Sequence, residues 1–108
     1  MFLVFVKWMV PKGFRGWTMY PFVFVKCKLD KGDAVFVNHE KIHLRQQTDL
    51  LIIPFFVWYL FEFLFRLLQY KNAELAYLNL SFEREAYRNE TDLNYLKNRK
   101  FLEFLKYL

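Results

Sequence analysis

A chain of 108 residues is one domain with a single modest core, and its single cysteine excludes both an intrachain disulfide and a multi-cysteine metal site. It is 56% hydrophobic and 22% aromatic, with fourteen phenylalanines, more apolar surface than so small a core needs; some of it is expected to face a partner or a lipid surface. The net charge of +5 fits attraction to anionic surfaces but selects no function by itself.

The first ten residues, MFLVFVKWMV, are apolar but interrupted by Lys7. They have no basic leader and no small-residue cleavage site follows, so no signal peptide is read. With the lone Cys27, a cytoplasmic or inner-membrane-associated location is expected. Residues 1–10 and 20–29 are β-branched and aromatic, and read as two short strands joined by a loop through Pro11, Gly13 and Gly16. The turn Asp30-Lys31-Gly32-Asp33 follows, and Asp33 can N-cap a helix running from Ala34 to about Gln47.

Residues 50–68, LLIIPFFVWYLFEFLFRLL, predict a strongly hydrophobic helix, either a buried core helix or one associated with a membrane. Glu62 and Arg66 within it are spaced for a helical ion pair, and Pro54 suits a first turn. A further helix over about 73–90, broken near Asn79–Ser81, is followed by one starting at Thr91 or Asp92. That last helix would set Leu93, Leu96, Phe101, Leu105 and Leu108 at helical spacing. The whole of 1–108 is an α+β domain, mainly helical, with a short N-terminal strand pair or small sheet.

The only two histidines lie four apart, with a glutamate directly after the first: His39-Glu40-Lys41-Ile42-His43. Chance placement gives this pattern on the order of once in a thousand such chains. On a helix, residues four apart diverge by roughly 40°, so both imidazoles can reach one metal ion. Glu40 sits beside the activated water rather than on the metal, placed as a general base. Catalytic zinc keeps three protein ligands and one open position, so a carboxylate from later in the chain must complete the set. Glu83 is favoured, because Ala86 one turn on lets its helix approach closely. Glu85 is the alternative, pointing roughly 200° away, and Glu90 is a more distant candidate. For the histidines' outer partners, Asp49 or Gln47 are the candidates. Tyr87, Tyr77 or Arg84 are candidates for stabilising a transition state.

His39–His43 followed some forty residues later by Glu83-x-x-Ala86 resembles the gluzincin zinc peptidases. It is similar in particular to the miniature gluzincins and to a group of small bacterial proteins of unassigned activity. These carry the runs Asn38–Gln47 and Phe82-Glu83-Arg84-Glu85-Ala86-Tyr87. The resemblance implies a minimal zincin-like fold and a zinc-dependent endopeptidase acting on a peptide or protein substrate. His39, His43 and Glu83 would be its Zn2+ ligands and Glu40 its base. Many gluzincins place an aspartate four residues after the glutamate ligand to hold a histidine, and Tyr87 stands there in this chain. A catalytically inactive zinc-binding or membrane-associated protein is the alternative. In zincins a strand above the motif helix accepts the peptide, and residues 22–28 are the candidate. A membrane surface is a second expected partner. Nucleic acid is not expected, because acids interleave the basic C-terminal region and no recognition motif accompanies it.

Overall fold

The computed structural model describes residues 2–6, 8, 10, 12–27 and 31–108. Met1, Lys7 and Met9 of the first predicted strand, Pro11, Lys28 and Leu29 of the second, and Asp30 of the predicted turn lie outside the described residues. The described residues form a mainly helical α+β domain with a small three-stranded sheet. Strands β1 (Phe2–Phe5), β2 (Gly16–Met19) and β3 (Phe22–Val25) assemble in the order β1-β3-β2. β1 runs parallel to β3, pairing Phe2 with Phe22, and β2 runs antiparallel to it, pairing Trp17 with Phe24.

This corrects two expectations. The expected strand pair or small sheet is a small sheet of three strands, and what is corrected is the loop through Gly16, because Gly16–Met19 pairs with β3. The candidate peptide-binding strand, β3, is the central one, so both its edges are already bonded. The edge strand beside the motif helix is β2.

Alternation along β3 sends Val23 and Val25 inward, onto Phe36 and Leu44 of α1 (Ala34–Asp49). Asp33 caps α1 as predicted, its side chain accepting from the Phe36 N–H at 3.1 Å. A Cβ at Gly16 would collide with the Phe24 carbonyl oxygen and press on the Phe36 ring, so glycine permits the close approach of β2 to β3 and to α1.

After α1 the chain reverses through Leu51 and Ile52, both at positive φ, into α2 (Ile53–Tyr70), bent 109° from α1. Pro54 stands in the first turn of α2. Among the described residues no single helix is long and apolar enough to cross a membrane. Nor is α2 an ordinary core helix. Its buried positions are Phe55, Glu62 and Arg66, while most of its apolar side chains are exposed.

The reason for burying Glu62 lies in the next elements, α3 (Ala73–Leu78) and α4 (Ser81–Asn89), which are broken apart at Asn79 and Leu80 as expected. The N-cap residue of α4 is Leu80, which has no side chain able to cap. Glu62 supplies the missing acceptor. It receives the Ser81 N–H and the Ser81 hydroxyl, both at 2.6 Å, and the Trp58 indole N–H at 3.2 Å. Its carboxylate also suits the positive end of the helix dipole. Arg66 stands 3.6 Å away, in the predicted i,i+4 pair.

The predicted C-terminal helix is not continuous. A short α5 (Tyr95–Asn98) ends where Arg99 turns extended, Leu102 takes positive φ, and a 3-10 turn closes the chain over Glu103–Tyr107. The break serves Arg99, whose buried guanidinium reaches Glu85 and, at 2.6 Å, Asp49; Asp49 also accepts the Leu102 N–H at 3.1 Å. These bonds outweigh one more turn of helix. The turn delivers Phe104 into a second apolar cluster with Phe55 and Phe82.

Replacing Glu62 by Ala leaves the Ser81 groups and the indole without their acceptor. A loss of about 2–4 kcal/mol of folding stability is expected, read as a lowered urea midpoint at unchanged slope.

Candidate metal centre

α1 packs against α4 and places His39, Glu40 and His43 inside the molecule, each 5–7% exposed. Ala86 of α4 is fully buried, one turn from Glu83, and α4 lies against α1. His43 Nε2 lies 3.2 Å from His39 Nε2 and 3.2 Å from Glu83 Oε1, and His39 Nε2 lies 3.4 Å from the same oxygen. These three buried groups form a cluster that could hold a metal ion. Four-coordinate bonds of about 2.0–2.1 Å set neighbouring ligand atoms about 3.3–3.4 Å apart, so the triangle has the size of one tetrahedral face.

Both imidazoles are held from behind. His39 Nδ1 meets Glu90 Oε2 at 3.2 Å, and His43 Nδ1 meets Gln46 Oε1 at 2.8 Å. Gln46 is fully buried and its amide can be oriented without ambiguity. Its nitrogen donates to the Phe82 carbonyl at 3.0 Å and to Glu85 Oε1 at 2.9 Å. Its oxygen must therefore face His43, so Nδ1 of His43 carries the hydrogen. In the neutral ring Nε2 then presents its lone pair to the cluster.

The outer partners are thus Gln46 and Glu90, and the expectation of Asp49 or Gln47 is corrected. Asp49 is taken by Arg99, and Gln47 by the backbone of β2, accepting from Tyr20 N at 2.7 Å and donating to Thr18 O at 2.7 Å. Glu85 stands outside this cluster. It lies fully buried on the other side of α4, bonded to Arg99, Gln46 and the Tyr95 hydroxyl. Glu90 reaches only the outer nitrogen of His39. Arg84 is directed away to the Tyr107 carbonyl and Asn79.

Glu40 accepts a 2.5 Å hydrogen bond from the Thr18 hydroxyl through Oε2, fixing its carboxylate between α1 and β2. Tyr59 of α2 donates to Glu83 Oε2 at 3.3 Å. The Tyr87 ring stands edge-on to His39, with centroids 4.5 Å apart, and Tyr77 lines the same cleft wall. Burial raises the pKa of all three tyrosines, and the charge of Glu83 adds to this, so each keeps its proton as a donor.

Sequence reasoning missed Thr18, Gln46 and Tyr59. Nothing local marks Thr18. Gln46 follows His43 by three, the spacing of one helix face, and Tyr59, Glu62 and Arg66 form a polar stripe along an apolar helix. Both signals were present.

A cleft of about 1010 Å³ opens beside the cluster, with His39, Glu40, Tyr59, Tyr77 and Tyr87 in its wall and Phe14, Gly16, Phe36, Phe56 and Leu60 around them. Its surroundings are mostly apolar. No protein-family model, curated protein or solved structure matches this chain.

Burial opposes charge on both His43 and Glu83, yet each overcomes it through the other. The Glu83 charge and hydrogen bond raise His43 to about 9, and the histidines lower Glu83 to about 2. Without metal the pair is an imidazolium facing a carboxylate, and a metal ion must displace the His43 proton. Metal affinity is therefore expected to rise with pH, about tenfold per unit, and to level off above about pH 9. Titration in buffers of different ionisation heat checks this by the protons released. One ion per chain is expected, lost in His39→Ala, His43→Ala and Glu83→Ala. It should be retained in any Glu85→Ala protein that folds, as measured by metal analysis of the purified variants.

Proposed function

We propose that this chain is a zinc-dependent metalloendopeptidase of gluzincin type. The reading rests above all on the triangle of His39 Nε2, His43 Nε2 and Glu83 Oε1 at tetrahedral spacing, with Glu40 adjacent in the same helix turn. When bound, zinc supplies a Lewis acid that makes water nucleophilic near neutral pH and polarises the scissile carbonyl.

The rest of the chemistry belongs to this chain's own side chains. Gln46 and Glu90 hold the imidazoles with Nε2 turned inward. Tyr59 steadies Glu83 through its second oxygen. Glu40, held through Oε2 by Thr18, takes a proton from the attacking water and returns it to the leaving amine. Tyr87, protonated and in the cleft wall, donates to the oxygen on which negative charge develops.

The substrate is an extended peptide with an apolar side chain beside the cleaved bond, lodged among Phe14, Phe36, Phe56 and Leu60. It pairs along the outer edge of β2 at Gly16, which lies in the cleft wall. Further along that edge, Gln47 already occupies the Thr18 carbonyl and the Tyr20 N–H.

Glu40→Gln is expected to keep its zinc and to lose at least about a hundredfold in peptide hydrolysis, followed on a peptide library with metal content measured in parallel. A zinc-loaded, folded wild-type chain that cleaves no member, free or membrane-presented, would leave a non-hydrolytic zinc protein instead.

A further inference from the structure

Helix α2 is inverted relative to a helix facing water. Its only acid and its only base, Glu62 and Arg66, are buried, while Val57, Leu60, Phe61, Leu64, Phe65 and Leu68 are exposed, Leu68 by 80%. An ordinary surface helix does the reverse, turning its apolar stripe to the core and its charges to solvent. The inner stripe is already committed through the bonds of Glu62 to Ser81 on α4. What α2 offers is therefore one continuous apolar face, about 17 Å long from Val57 to Leu68 at the helical rise. A monomer in water rarely leaves such a face bare.

Its two ends are basic. Lys71, the C-cap of α2, is exposed at one. At the other, Asp49 binds both Arg99 and the Leu102 N–H, which sets exposed Lys100 and Phe101 beside the start of the helix. No acid of α2 is exposed, exposed Glu74 of α3 follows Lys71 by three residues, and the chain as a whole carries +5. A second copy fits poorly, because pairing α2 with itself in either direction brings lysine against lysine. Anionic headgroups meet the lysines with the opposite charge, while phenylalanine and leucine enter the acyl boundary.

From these observations we infer that the outer face of α2, flanked by Lys71 and Lys100, docks the protein onto an anionic lipid bilayer surface. Phe56 and Leu60 belong both to this side of α2 and to the cleft wall, so docking brings the cleft mouth to the bilayer. The inference stands apart from hydrolysis, and its test reads no activity.

The full chain is floated with vesicles of phosphatidylcholine alone and with vesicles of equal parts phosphatidylcholine and phosphatidylglycerol. Wild type is expected to float with the anionic vesicles and only weakly with the neutral ones. Phe61→Glu/Phe65→Glu, which alters exposed positions only, should abolish flotation with its circular dichroism and metal uptake unchanged. Lys71→Gln/Lys100→Gln should weaken binding to the anionic vesicles about fivefold per lysine, and added salt should act in the same direction. Absence of flotation with either vesicle would overturn the inference. So would equal binding to both, or a stable dimer in solution that the Phe61→Glu/Phe65→Glu pair takes apart.

Discussion

Four buried glutamates, Glu40, Glu62, Glu83 and Glu85, impose the condition that organises the described structure. A carboxylate out of water must be met by hydrogen-bond donors or cations, since leaving it unpaired costs several kcal/mol. Here the donors come from other elements of the fold. Thr18 ties β2 to α1, Ser81 ties α4 to α2, and His39, His43 and Tyr59 tie α1 and α2 to α4. Arg99, Gln46 and Tyr95 tie the C-terminal segment and α1 to the far side of α4. The apolar clusters are small, three or four buried side chains each, so polar cross-links carry an unusual share of the positioning. The cluster that could hold a metal ion is one of these cross-links, and it is the one with two imidazoles.

The same condition explains why the most hydrophobic helix turns its charges inward. Glu62 is needed where α4 begins, two residues before Glu83. The outer face of α2 is thereby left apolar, and the surface character of the protein is a by-product of how one helix cap is supplied. Any change that repositions α2 acts on the start of the helix that carries Glu83.

Much of the site was legible in the sequence because helical periodicity converts spacing directly into direction. His39 and His43 at i and i+4, Glu83 with Ala86 one turn on, and Glu85 facing away all follow from 3.6 residues per turn. The cap at Asp33, Pro54 in a first turn and the break before Ser81 follow from equally local chemistry. What escaped was set by partners distant in sequence. β2 is too short and too close to glycines to announce itself until β3 pairs with it. Arg99 interrupts a helical pattern only because Asp49 and Glu85, fifty and fourteen residues away, claim its guanidinium. The apolar run at 50–68 suggested burial or insertion, and only the position of Ser81 tells which stripe faces in.

Gln46 and Gln47 stand side by side in α1, yet one grips α4 and the other grips β2. Consecutive helical side chains diverge by about 100°, so the two amides hold the helix from different quarters, like a shaft keyed in two slots. A helix gripped on one side alone can roll about its axis and swing its imidazoles off a common point. Keyed twice, α1 has a single angular setting, and the bearing of His39 and His43 toward Glu83 is fixed by two uncharged residues that do not belong to the triangle.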